Sequence, residues 1–143
     1  MKQVSITMGC PPSKNQDVRN WRIEVGRKAK YMQKEDWELI FAMKKWDPAI
    51  LAILPAKYAT WQGHVQVKGL RDWDNLVWLF KWPIDILVHR GIIVDDGPKV
   101  LVPKGWPTQE VVPRVTSNAK LSITLDLYEE ADKEGTCQES SSL

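Results

Sequence analysis

Trp61-Gln62-Gly63-His64-Val65-Gln66-Val67 runs through Lys68-Gly69-Leu70-Arg71-Asp72-Trp73-Asp74-Asn75 into the apolar segment Leu76–Val88. The first seven residues alternate, with Trp61, Gly63, Val65 and Val67 on one face and Gln62, His64 and Gln66 on the other. That period of two predicts a strand. The segment after Asn75 reads as a helix interrupted by Pro83 and stopped by Gly91, a residue suited to the position just past a helix C-terminus. Between the two, Lys68–Asn75 is polar and turn-prone apart from Leu70 and Trp73. A strand handing over to an apolar helix sets the fold class as α/β.

Outward from this unit the pattern repeats. Val4–Met8 alternates and predicts a first strand, ended by Gly9 and Pro11-Pro12, with Ser13-Lys14-Asn15 as loop. Val25–Trp46 has helical spacing through Trp37, Ile40 and Phe41, and Asp47-Pro48 should close it. After Gly91, Ile92-Ile93-Val94 leads into the tight turn Asp95-Asp96-Gly97-Pro98 and then Val100-Leu101-Val102. Pro103–Pro113 reads as loop, and Leu121–Leu127 alternates cleanly as a last strand. The expected order is β-α-β-α-(β)-β, a single-domain mixed β-sheet under two main helices. Residues 1–128 form the domain, and 129–143 an acidic tail expected to be disordered.

With 143 residues, 43% of them hydrophobic and 27% charged, the chain has the composition of one globular domain. No apolar run is long enough to cross a membrane. Met1–Met8 lacks the apolar core of a signal peptide, so the expected location is cytoplasmic, associated with the nucleoid if the partner is DNA. Two cysteines, Cys10 and Cys137, and two histidines, His64 and His89, make no zinc pattern and read as ordinary residues of a reducing compartment.

The net charge of +2 hides an uneven distribution. From Asp126 to the end, six acids face Lys133 alone, giving −5, while the 19 basic and 12 acidic residues before it give +7. A basic body with an acidic tail points to a polyanionic partner for which the tail could compete, although a solvated charge mixture would look the same. Of the eight tryptophans, Trp37, Trp46, Trp61, Trp78 and Trp82 fall in regular elements and read as core or interface anchors. Trp21, Trp73 and Trp106 fall in loops, where a flat ring can stack on a base or pack a dimer seam.

Asp72-Trp73-Asp74-Asn75 is the segment richest in chemistry. If it is extended, Asp72 and Asp74 project to one face, and Asp74 or Asn75 caps the helix starting at Leu76. Two carboxylates held together repel unless a cation neutralises them, and a hard divalent cation takes such oxygen ligands while keeping waters. A second pair, Asp95-Asp96, follows the helix. Either motif alone is as well explained by a cap or a turn. Together, with Lys81 between them on a basic body, they suggest a metal-dependent phosphodiesterase site.

In these segments the chain resembles the RusA-type Holliday junction resolvases, small dimeric endonucleases. Ile6-Thr7 followed by Pro11-Pro12-Ser13-Lys14-Asn15 is similar to the family's first strand and Pro-Pro-Ser-x-Asn loop. Arg71-Asp72-Trp73-Asp74-Asn75-Leu76 resembles its Asp-x-Asp-Asn-Leu signature. Asp85-Ile86-Leu87 through Gly91 to Asp95-Asp96 resembles its helix end and following acids, and Leu121–Leu127 its closing strand. The resemblance implies that Asp72, Asp74 and Asp96, rather than Asp95, ligate Mg²⁺, with Mn²⁺ able to substitute. It also implies a lysine on the second helix assisting at the phosphate. The family places that lysine four residues after the second Asp, where this chain has Trp78; Lys81, three residues further on, takes the role if the helix carries an insertion. The helical pattern then buries Trp78 and directs Lys81 toward Asp74.

The function implied is an endodeoxyribonuclease that resolves four-way junctions by paired symmetric nicks in DNA recombination and repair, as a homodimer with no organic cofactor. A flap or branched-DNA endonuclease, and a non-catalytic junction-binding protein of the same fold, are the alternatives. Lys14, Asn15, Arg22, Arg27, Lys28, Lys30 and Arg71 are the candidate DNA contacts, and the Pro103–Pro113 loop an added DNA or dimer contact.

Overall fold

The computed structural model describes residues 1–11, 21–67, 69–70, 72–112 and 119–129, without the side chains of 21–24 and Trp73. Lys14, Asn15, Arg71, Cys137, the side chain of Arg22 and the tail beyond Glu129 therefore lie outside the described residues. The elements are β1 (Lys2–Gly9), α1 (Trp21–Met43), α2 (Pro48–Ala52), β2 (Tyr58–Val67), α3 (Trp73–Trp78), α4 (Lys81–His89), β3 (Leu101–Pro103), β4 (Thr108–Val111) and β5 (Lys120–Tyr128). The fold is a small single-domain mixed α/β protein with an open five-stranded sheet.

β5 lies between β1 and β2 and is antiparallel to both; β3 and β4 pair with β2 in parallel. The alternation of each strand fixes its register, because a one-residue slip would turn its apolar set outward. Val4, Ile6 and Met8 stand opposite Leu125, Ile123 and Leu121, which in turn face Trp61, Gly63 and Val65. All of these except the glycine are buried apolar side chains on one face of the sheet. Ser5, Thr124, Thr60 and Asp126 occupy the other face.

Gly63 marks the closest approach between sheet and helices. A Cβ there would lie 2.5 Å from Phe80 and 2.9 Å from Trp61, whose rings pack at 5.3 Å. Phe80 is 1% exposed and cannot swing aside. Gly63→Ala should therefore destabilise the domain by about 1–3 kcal/mol, the usual effect of overpacking a filled core. Urea denaturation checks this; unchanged stability would mean that the Phe80 ring relocates freely.

Several elements differ from the sequence reading. α1 starts four residues earlier than expected and ends at Met43, and Asp47 caps the unexpected α2 by accepting from the Ala49 N–H at 2.9 Å. The inward face of α1 is Tyr31, Glu35 and Leu39, whereas Trp37 and Phe41 are exposed. Apolar residues occur around much of this helix, so packing against α4 and β1 chose the face. Two ion pairs fix the α1–α4 seam: Lys28 with Asp85 at 2.9 Å, and Arg90 with Asp36 through two bonds of 2.7 and 2.5 Å.

The helix expected over Leu76–Val88 is two helices, broken at Leu79-Phe80 rather than at Pro83. Proline has no N–H for the carbonyl four residues back and collides with it. That carbonyl belongs to Leu79, so the chain turns there through i→i+3 bonds from Leu79 N to Leu76 O and from Phe80 N to Val77 O. Pro83 then sits in the first turn of α4, where no donor is needed.

Gly91 behaves as expected. At φ +79° it closes α4 with paired bonds, Ile92 N to Leu87 O and Gly91 N to Val88 O, the Schellman arrangement. Pro103–Pro113 is not all loop, because β4 adds to the edge of β2. Its run Thr108-Gln109-Glu110-Val111 has no apolar alternation to reveal it. The last strand is found as expected, as β5, and Asp126 is a buried residue within it. Trp21 and Trp73 begin helices rather than lie in loops. Among the described residues, no helix is long and apolar enough to cross a membrane.

Candidate active site

Asp74, Lys81 and Asp96 line one cleft of about 240 Å³, together with Trp61, Val77, Trp78 and Ile84. Three separate devices bring them there. Asp74, Val77, Trp78 and Lys81 recur at three- and four-residue steps, so the α3–α4 pair presents them along one side despite its break. The Schellman turn at Gly91 reverses the chain. Ile92–Val94 then runs beside Ala56, bonded from Ala56 N to Ile92 O (2.9 Å) and from Val94 N to Ala56 O (3.0 Å). Ala59 N bonds Val100 O at 2.8 Å, so the 95–99 turn is held at both ends against the start of β2.

Within that turn the two acids divide their roles. The Asp95 carboxylate accepts from the Asp96 N–H at 2.9 Å and folds back toward Gly97. Asp96 is the one that faces the cleft. Lys81, Asp74 and Asp96 are all exposed, so their charges meet solvent and ligand directly.

Asp72 departs from expectation. It is the N-cap residue of α3, with φ −65° and ψ 156°, and its side chain makes no capping bond. α3 begins at Trp73, so Asp74 lies within the helix and neither Asp74 nor Asn75 is the cap. Residues two apart in a helix point to different sides, unlike residues two apart in a strand. Asp72 is accordingly exposed and not part of the cleft lining. Among the described residues, no three His, Cys, Asp or Glu side chains stand grouped as a metal site. No protein-family model matches the chain, and no curated protein matches it.

Trp78 is not buried as expected but 37% exposed, forming part of the cleft wall. Trp61 and Ile84 were not anticipated there; their patterns in sequence mark them only as core. Of the basic residues, Arg27 and Lys30 are exposed on α1 beside Tyr31, Gln33, Lys34 and Trp37, around a shallow concavity of about 580 Å³. Lys28 instead holds Asp85.

One buried acid lies away from this cleft. Glu35, 3% exposed, accepts from the Gly9 N–H at 3.2 Å, while Tyr31 donates to the Gly9 carbonyl at 2.7 Å. Burial pushes the Glu35 carboxyl above its ordinary range, with Glu38 adding to the effect. Both side chains pin the end of β1 to α1, a structural role that helical spacing did not disclose.

Proposed function

We propose that this chain is a metal-dependent endonuclease of branched DNA of the RusA type, nicking junctions as a homodimer with two symmetric sites. The observation that carries the reading is the convergence of Asp74, Lys81 and Asp96 on one cleft. The donor set suits a hard divalent cation: two exposed carboxylates would supply oxygen ligands, and Asp72, exposed two residues before Asp74, would have to turn toward the cleft to add a third. A bound Mg²⁺ would activate water and neutralise charge on the phosphoryl group.

The chain's own residues supply the rest. Asp74 and Asp96 would hold the cation, which would supply the activated water. Lys81 lines the same cleft, and its ammonium would stabilise the charge that a phosphate oxygen gains in the transition state. Arg27 and Lys30 add basic surface for backbone phosphates, which position DNA without reading its sequence.

Incubating the protein with Mg²⁺ and synthetic four-way junctions, flaps and linear duplex tests the proposal. Nicks restricted to branched substrates are expected, and the absence of nicks on all three would refute it. Lys81→Ala should lower the nicking rate by about 10²-fold, the scale for losing one preorganised electrostatic contact, with junction affinity nearly unchanged. An equal loss in binding and rate would make Lys81 a simple phosphate contact. The separation of Asp72 from the cleft favours one second reading, a junction-binding module without catalysis. Tight junction binding without nicks at saturating Mg²⁺ and Mn²⁺ would decide for it.

A further inference from the structure

Trp61 and Val77 have a second side. They also line an apolar recess of about 330 Å³ completed by Pro103, Gly105, Trp106 and Pro107. The recess therefore adjoins the acidic cleft, and among the described residues none that lines it is charged. We propose that it is a subsite for a single unstacked nucleobase of the DNA, with the Trp106 indole as its platform; this rests on the nuclease reading of the neighbouring cleft.

A phosphodiester placed against Asp74, Lys81 and Asp96 carries a sugar and base only a few bonds away. A recess without charge is a poor place for a second phosphate and a good one for a flat apolar ring. Trp106 is 58% exposed, so more than half of its surface meets solvent.

The platform is built by an irregularity in the edge of the sheet. Trp61 pairs with Pro103 and His64 with Thr108, so the edge advances five residues while β2 advances three. The surplus forms the Lys104–Pro107 bulge, which re-aims side chains as bulges commonly do. It is firmly held: Lys104 N donates to Trp61 O at 2.9 Å, Gln62 Nε2 donates to Trp106 O at 3.0 Å, and Lys104 pairs with Asp126. A platform fixed before binding loses little entropy when the base arrives.

The subsite also gives a physical basis for preferring branches. In linear duplex a base must be unpaired and unstacked to enter, whereas a base at a branch point is already loosened.

The test uses the full chain and a four-way junction carrying 5-iododeoxyuridine at positions around the branch point, with Ca²⁺ in place of Mg²⁺. Irradiation should cross-link the base to Trp106, located by peptide mass spectrometry. Trp106→Ala should weaken junction binding by about ten- to a hundredfold, the scale of one lost base stack, and leave linear-duplex binding unchanged. Trp106→Phe should retain most of the affinity. Junction binding by Trp106→Ala at wild-type strength, with the cross-link falling elsewhere, would overturn the subsite. Nicking by the wild type in Mg²⁺ is scored separately. Nicks without a Trp106 cross-link defeat the subsite alone, and a Trp106 cross-link without nicks defeats the nuclease while the base subsite stands. A Trp106→Ala change that shifts self-association rather than DNA affinity overturns the subsite in favour of a contact between copies.

Discussion

Asp74→Asn and Asp96→Asn should each lower junction nicking by at least about a thousandfold while changing junction affinity by less than about threefold. A catalytic cation contributes several kcal/mol of transition-state stabilisation, and each 1.36 kcal/mol is a factor of ten in rate. Replacing a ligand carboxylate by an amide removes the charge that holds the cation but little volume. Both side chains are exposed, so the fold should be indifferent to the change. On the proposed reading, binding would rest on phosphate contacts made by cations elsewhere and should persist. Single-turnover nicking at limiting and saturating Mg²⁺, beside a binding titration, separates the two effects. Wild-type nicking by either variant at limiting Mg²⁺ would remove that carboxylate from the site. Asp72→Asn belongs in the same series, and a loss as large as that of Asp74→Asn would show that the third carboxylate is recruited when the cation binds.

Asp126→Ala should cost about 2–3 kcal/mol of stability and leave the cleft's chemistry in place. The carboxylate is 2% exposed, pairs with Lys104, and accepts from Gln3 Nε2 at 2.9 Å and Thr60 Oγ1 at 3.4 Å. Truncating it takes the shared acceptor from Gln3, the half-buried Thr60 and the Lys104 ammonium at once, which is the expensive way to break a hydrogen-bonded group. Burial alone would raise the Asp126 pKa, but the bonds from Lys104, Gln3 and Thr60 outweigh it and hold the carboxyl below its ordinary value. A carboxyl depressed in the folded state adds stability above its unfolded pKa, about 3.9, and that stability is lost as pH falls through the folded value. Urea denaturation from pH 7 to pH 2 should thus show an acid-side decline that is smaller in Asp126→Asn. Identical slopes in the two proteins would mean that the pair is solvent-screened and contributes nothing. Because Lys104 anchors the bulge under Trp106, the same variants should also weaken junction binding if the base subsite is real.

The strands were legible because alternation is a local property. Val4–Met8, Trp61–Val67 and Leu121–Leu127 each display their buried face in sequence, and Gly91 announces the end of its helix through the one backbone conformation that favours glycine. The acids were legible as residue types at suggestive spacings. Tertiary structure decided which of them meet. Asp72 and Asp74 look equivalent in sequence, but the helix starts between them, and the change from a period of two to one of 3.6 sends them to different sides. Asp96 reaches the cleft only because Ile92–Val94 pairs with Ala56, a contact between segments more than thirty residues apart that no local pattern encodes. β4 escaped notice because an edge strand needs no apolar alternation. Asp126 was legible as a residue of the last strand, but only the tertiary structure brought it Lys104, from the bulge of another strand, as a partner. Periodicity is written residue by residue, whereas partners are chosen by the whole packed chain.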